Sequence, residues 1–496
     1  MNTYANPVIP GFNPDPSIIR VKEDYFLVTS SFEYFPGAPI YHSTDLIQWK
    51  LIGHALNRTS QIQIHSPEPG GGVWATTIRH HNGAFYVTAA NFSRYRPLQD
   101  DRVLPRGFYV CTQNIWDENS WSDPVYFDQV GFDQDLFWDD DGAVYLSTTR
   151  PKLNRTQNSP SGISEGSHIF KRVRYYYLLT AEGGTGSAHN ECVFRSEKGP
   201  FGPWEAAPHN PVCRNGINDE VQNTGHADLV SDSQGQWWAV LLGVRPVWNK
   251  NRWETSVFGR ETFLIPVEWV DDWPIFNRGH KVSLLCTGPG VYHYEASISW
   301  RDDFSTPKLQ LGWYRKNTPL KVDYSLTVRS NLLRLYGGPY NLSVPASPTL
   351  LLRKQTHRFC RWETRLSFHP SSTIAEAGTV VWWNYFTYAS IGIRTNGENR
   401  FVRFRDTMGR FTERKLKGYN SDVVLCIVCG DAYLLGFREV GDESEKFQWF
   451  DEVSNAAMTA DPPIGLSFTG MMLGLYSFAE GQPSSSPADF HYVEVN

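Results

Sequence analysis

Five stretches of this 496-residue chain repeat one pattern. They are DPSIIRVKEDYFLVTS, WATTIRHHNGAFYVTAA, DQDLFWDDDGAVYLSTT, EGSHIFKRVRYYYLLTA and HADLVSDSQGQWWAVLL. Each reads as a β-hairpin, two strand-like runs around a turn. Turn residues stand at Glu23-Asp24, Asn82-Gly83, Asp141-Gly142 and Gln234-Gly235, with Lys171-Arg172 a weaker mark in the fourth. The register is tight: Trp74, Asp133, Glu165 and His226 each precede an aromatic residue of the second run by 12 positions, and Asp15 precedes Phe26 by 11. Short strands at a fixed period are the signature of a β-propeller. Five blades fit into residues 1–298. The innermost strands of a propeller surround one axis, so their first residues converge. Asp15, Trp74, Asp133, Glu165 and His226 are therefore expected to form a single ring.

The pattern changes near Trp300-Arg301-Asp302-Asp303-Phe304. Short alternating strands follow, at Tyr324–Val328, Leu332–Tyr336, Thr349–Arg353, Arg361–Phe368, Gly378–Tyr385, Ser390–Arg394, Val423–Val428, Ala432–Arg438 and Gly465–Phe468. No helical period accompanies them, and a β-sandwich over 299–496 is expected. The fold class is thus all-β, a five-bladed propeller followed by a sandwich. Trp (18) and Tyr (24) are abundant enough to supply flat faces for sugar rings as well as core bulk.

A net charge of -6 argues against a nucleic-acid or anionic-membrane partner. No apolar run is long enough to span a bilayer. The opening MNTYANPVIPGFNPDPS has no basic region leading into an apolar one, which points to the cytoplasm, or to secretion if a signal has been removed. The seven Cys are scattered, and Cys426-Ile-Val-Cys429 lies in an apolar run with no second half, so buried strand cysteines are expected. Nothing in the pattern separates a monomer from a homo-oligomer.

Three carboxylates in one ring suit glycoside hydrolysis. An inverting enzyme needs a carboxylate base to activate water and a carboxylic acid to protonate the leaving oxygen. The acid stays protonated near neutral pH only if burial or a neighbouring negative charge raises its pKa. Asp15 lies between two prolines in Asn13-Pro14-Asp15-Pro16-Ser17, which holds it rigidly, and Gly166 after Glu165 permits close approach.

These same stretches resemble glycoside hydrolase family 43, in its branch of β-xylosidases and α-L-arabinofuranosidases with a C-terminal concanavalin-like sandwich. The resemblance is carried by NPVIPGFNPDPSIIR, SFEYFPGAPIYHSTDLIQW, GGGVWA, GFDQDLF, SEGSH, LLTAEGGT, GHADLV, FGRET and WRDDF, in the family's order. It implies single-displacement, inverting, exo-acting chemistry on xylo-oligosaccharides or arabinoxylan. It implies Asp15 as general base, Glu165 as general acid and Asp133 as the residue that raises and orients the acid. Arg260 is implied to bind sugar hydroxyls, Trp74, Phe32 and Phe35 to wall the pocket, and Phe468 to reach it from the sandwich. The alternatives are a side-chain-specific arabinofuranosidase on polymeric arabinoxylan, which needs an open groove beside the pocket, and a sugar-binding propeller lectin, which needs no proton donor.

The chain departs from the family in three places. Thr76-Thr77 replaces a usual Pro-Asp, Asp135 stands where Ser is usual, and Arg94–Arg106 is an Arg- and Pro-rich insertion. No cofactor is required by this chemistry. His226 has two readings, a hydrogen-bonding role or a share in holding a structural Ca2+ in the propeller channel. The first is favoured because no acidic residue accompanies it in Thr224-Gly225-His226-Ala227.

Overall fold

The computed structural model describes residues 3–92, 105–150, 163–249, 252–288, 299–418, 420–441 and 446–496. The chain divides into two compact units, Met1–Ile64 with Gly71–Tyr294, and His65–Gly70 with Glu295–Asn496. The expected boundary at 298 and most of the Arg94–Arg106 insertion fall outside the described residues.

The first unit is built of antiparallel sheets. Blade one contains β1 (Ser17–Val21), β2 (Asp24–Val28), β3 (Gly37–Ser43) and β4 (Lys50–Leu56). Blade two contains β5 (Gly72–His81), β6 (Ala84–Phe92), β7 (Arg106–Thr112) and β8 (Val125–Val130). Blade three contains only β9 (Phe132–Trp138) and β10 (Val144–Thr149) among the described residues. Blade four is β11 (Ser164–Arg172), β12 (Tyr175–Glu182), β13 (Asn190–Ser196) and β14 (Glu205–Ala206), and blade five is β15 (Gln222–Ser231), β16 (Trp237–Val244), β17 (Arg260–Val270) and β18 (Trp273–Phe276). The inner strands β1, β5, β9, β11 and β15 neighbour one another in a closed ring, with β15 returning to β1. That closure makes the five sheets a propeller. Apolar residues between sheets hold it, such as Val28, Ile40, Val73, Val87 and Trp121 in one cluster and Leu179, Val240, Phe263 and Ile265 in another.

Two turns differ from the sequence expectation. The first hairpin turns at Lys22-Glu23, because Val21 pairs with Asp24. The fourth turns at Val173-Arg174, because Arg172 pairs with Tyr175. Val173 takes a positive φ of 56°, unusual for a β-branched side chain, at an exposed tip. Asn82-Gly83 forms the expected tight turn, with both φ values positive.

The inner strands share a bulge that the hairpin pattern did not show. Asp15, Ala75, Asp133, Gly166 and His226 have φ between 29° and 60°. Two residues later the regular ladder begins, at Ser17↔Val28, Thr77↔Thr88, Asp135↔Ser147, His168↔Leu179 and Asp228↔Val240. Asp15, Asp133 and His226 are therefore equivalent, whereas Trp74 and Glu165 each stand one residue earlier. A bulge turns the backbone and re-aims the side chains at it. Glycine suits the fourth position, where φ is 60° and a Cβ would meet the His226 ring at 3.1 Å.

The second unit is a sandwich. One sheet has six strands in the order Thr349–Lys354, Met472–Ala479, Ala375–Trp382, Tyr388–Thr395, Arg400–Arg405 and Phe411–Lys415. The other is built around Ala488–Val495, Cys360–Ser367, Val423–Cys429 and Ala432–Glu439. Trp362, Trp382, Tyr433 and Tyr476 are fully buried. Gly465–Phe468 is not a strand. Met472–Ala479 is one, buried along its whole length, so it lacks the alternation that marks half-buried strands. The one α-helix among the described residues is Asn455–Met458. All seven cysteines are free.

Candidate active site

The bulges place Asp15 with two donors. Ser30 Oγ donates to Asp15 Oδ2 at 2.6 Å, and Arg260 Nη1 donates to Asp15 Oδ1 at 2.9 Å. His226 Nδ1 stands 3.7 Å from Oδ1. Burial would push this carboxyl up, but Arg260, His226 and Ser30 together outweigh it and hold the pKa below the usual carboxylate value. Asp15 is thus ionised at neutral pH, as a general base must be. Its prolines and its left-handed backbone fix the direction in which it points.

Glu165 and Asp133 occupy the opposite electrostatic setting. Burial, then the charge of Asp15, raises the Glu165 pKa to about 7, with Glu182 adding to the rise. Burial, then Glu165, raises Asp133 well above its ordinary value. The Gly166 backbone N–H donates to Asp133 Oδ2 at 2.7 Å, which pins the Asp133 side chain beside the acid. The pair keeps a proton near neutral pH, which is what protonating a leaving oxygen requires.

Around these groups, Trp74 lies 6.5 Å from Phe32, 4.4 Å from Phe92 and 5.7 Å from Phe132, ring to ring. The Arg260 guanidinium stands over the Phe32 ring at 5.4 Å. Arg260, Asp15, Phe32 and Trp74 are thus linked in one aromatic and ionic wall. Phe35 instead packs in the propeller core with Val28, Ala38 and Val73. Phe468 lies in the second unit. Burial pushes His226 down to about 4, so its imidazole is neutral.

Residues that the hairpin pattern missed complete the site. His189 is buried, pushed down to about 4 by that burial, with Nδ1 3.0 Å from Asn223 O. Glu191 is fully buried and accepts the Ala227 N–H at 3.0 Å, bracing the His226 bulge; burial raises its pKa well above the usual value. Glu261 forms a two-point pair with Arg245, 2.6 and 2.8 Å, next to Arg260. These sit outside the repeat register, and of them only Glu261 falls in a block that carries the family resemblance, FGRET. No group of three or more His, Cys, Asp or Glu side chains suited to a metal occurs among the described residues.

A groove of about 970 Å3 runs from Glu165 and Ser164 along blades three and four. Its lining includes Tyr145, Phe194, Phe201 and Trp204 with the hydroxyls of Ser167 and Thr180. Phe201 is 86% exposed, an apolar surface open to a ligand.

Comparison with known proteins agrees with this geometry. Residues 4–163 and 149–274 match the family model described as Glycosyl hydrolases family 43, and residues 301–496 match the beta xylosidase C-terminal concanavalin A-like domain. A non-reducing end alpha-L-arabinofuranosidase of Bacteroides ovatus is 34% identical, covering 99% of this chain and 94% of that protein. A xylan 1,3-beta-xylosidase of a Vibrio species is 33% identical, covering 99% of both. The crystal structure of a xylan beta-1,4-xylosidase from Bacillus halodurans matches with a TM-score of 0.88 at 28% identity, over 99% of this chain and all of that one. The chain with its paired acid and base settings therefore belongs to glycoside hydrolase family 43, and it is a glycoside hydrolase.

Proposed function

We propose that this enzyme removes terminal β-1,4-xylose, α-L-arabinofuranose or both from xylo-oligosaccharides, by single displacement with inversion. The observation that carries the reading is the split of charge: one carboxylate held ionised by Arg260, and a carboxyl pair that retains a proton. Asp15 takes the proton of water as that water attacks the anomeric carbon. Glu165 gives its proton to the departing oxygen. Asp133 keeps the acid raised and oriented, and Arg260 supplies fixed donors for sugar hydroxyls. The names of the relatives support pentose as the sugar. Rates on aryl β-xyloside, aryl α-L-arabinofuranoside, xylobiose and arabinoxylan test the substrate, and NMR of the first-formed anomer tests the stereochemistry. Retention of configuration overturns the mechanism.

A second reading, release of arabinofuranose from polymeric arabinoxylan, is supported by the groove beside Glu165. An aromatic-lined groove suits a leaving group longer than one sugar. A higher kcat/KM on arabinoxylan than on xylobiose favours this reading.

A further inference from the structure

One side chain joins all five blades of the propeller. Arg79, on β5, points into the axis and meets the other four blades. Its Nε lies 2.8 Å from Asp135 Oδ1 and its Nη2 donates to Asp135 Oδ2 at 2.9 Å, a two-point contact with blade three. Nη1 donates to Asp228 Oδ2 of blade five at 2.8 Å and to Ser17 Oγ of blade one at 3.2 Å. His168 Nδ1 of blade four stands 3.1 Å from Nη2. The fifth interaction returns to its own blade, to Ile78 O at 2.9 Å.

The position of these partners matters. Ser17, Asp135, His168 and Asp228 each lie two residues after a bulge residue, namely Asp15, Asp133, Gly166 and His226. The same carboxylates also hold neighbouring backbone: Asp228 accepts the Ile18 N–H and the Ser17 hydroxyl, and Asp135 accepts the Ile169 N–H. So the guanidinium ties blade to blade at the points that aim the acid and the base. Asp135 is also the place where this chain carries a carboxylate instead of the Ser usual in the family, and that carboxylate makes the two-point contact.

A channel Ca2+ would need six to eight oxygen ligands. Asp135 and Asp228 are already engaged by Arg79, and Asp15 by Arg260 and Ser30. The residues at the axis do not fit a calcium ion beside His226. We propose that Arg79 is the channel's own cation, a positioning residue that stands where a metal would otherwise neutralise the axis and that holds the Asp15, Asp133 and Gly166 bulges, the last beside Glu165, in mutual register. Burial disfavours its charge and that of Asp228, but their pairing prevails and holds Asp228 down at about 2.

The test measures Arg79→Ala and Arg79→Lys in the full chain, with wild type in the presence and absence of EDTA. Wild-type kcat is expected to be unchanged by EDTA and by added Ca2+. Arg79→Ala is expected to lose about 10²-fold in kcat through misplacement of the acid and base. Its KM for aryl pentoside should change far less, and millimolar guanidinium, but not urea, should restore part of kcat. Lysine has one ammonium and cannot fork onto Asp135 while reaching Asp228, so Arg79→Lys should also lose kcat with KM kept. If Arg79→Ala fails to fold, Arg79→Lys with native circular dichroism decides. Full kcat in a folded Arg79 variant overturns the proposal. So does a wild-type enzyme that EDTA inactivates and Ca2+ restores, or an Arg79→Ala enzyme that urea restores as well as guanidinium.

Discussion

The base side and the acid side of the site use the same chemical group in opposite ways. Asp15 is more buried than Glu165 yet is held ionised, because a guanidinium and a hydroxyl reach it. Glu165 and Asp133 are buried among further carboxylates, and their pKa values rise. Burial has the same sign on both sides. Burial is the largest influence on all three carboxyls, and the placing of the cations decides that only Asp15 ends below its ordinary value. Arg79 sits at the axis, whereas Arg260 pulls all three carboxyls down and donates directly to Asp15.

The comparison can be broken most decisively by removing one carboxylate from each side. Asp15→Ala and Glu165→Ala should each lower kcat by about 10²–10⁴-fold on xylo-oligosaccharide. They should part on an aryl pentoside with a good leaving group. That substrate needs little protonation, so Glu165→Ala should recover much of its loss while Asp15→Ala recovers none. Equal losses on both substrates would abolish the distinction between acid and base. Arg260→Ala comes next, with kcat/KM expected to fall on the order of 10²-fold. Without the guanidinium the Asp15 pKa rises, so the acid limb of the pH profile should move to higher pH; a fixed limb would show that Arg260 does not charge the base. Asp133→Asn sharpens the other side. Asp133 and Glu165 titrate as one pair in which Glu165 raises Asp133, so a side chain that cannot ionise at 133 should lower the alkaline limb, and an unchanged limb would count against the pair.

The smallest effect concerns stability. The folded pKa of Glu191 is raised above its unfolded value, so its contribution is fully present below the unfolded pKa and is lost as pH rises through the folded one. Glu191→Gln keeps the acceptor for the Ala227 N–H and cannot ionise. Its melting temperature should match wild type near pH 4 and exceed it near pH 8. Thermal scans at the two pH values check this, and a parallel pH dependence in both proteins would count against a buried neutral Glu191.

Much of the propeller was legible because hairpins are local. Turn residues and apolar runs lie within some twenty positions, and five of them at one register leave few other folds. The shared bulge was hidden for a physical reason: positive φ at Ala75 and Asp133 has no residue signature, unlike glycine at 166. Hence Trp74 and Glu165 were placed one residue out of register with the others. Arg79 was hidden more deeply. In Ile78-Arg79-His80-His81 it reads as a solvated charge before a turn, and only the closed ring shows that it meets four other blades. Asp135 stands out in the sequence as a departure from the family, but its partner lies 56 positions away and carries no mark. Asp133, Glu165 and Asp15 were legible because their chemistry recurred at equivalent places.

The bond between Arg260 and Asp15 joins residues 245 positions apart. Its surroundings are also long-range: the Asn13 N–H donates to Arg260 O, the Gly11 N–H donates to Glu261, and Thr3–Ala5 pairs with Leu285–Thr287. The strand that charges the base is thus the one that fastens the last blade to the start of the chain. A polypeptide with four blades made and the ring still open has its three carboxyls, but Asp15 lacks the guanidinium that fixes its direction. Contacts of such sequence separation form late because their loop closure must come first. Catalytic competence and topological closure are therefore one event in folding. Recovery of hydrolysis after dilution from denaturant would time the moment at which the propeller shuts.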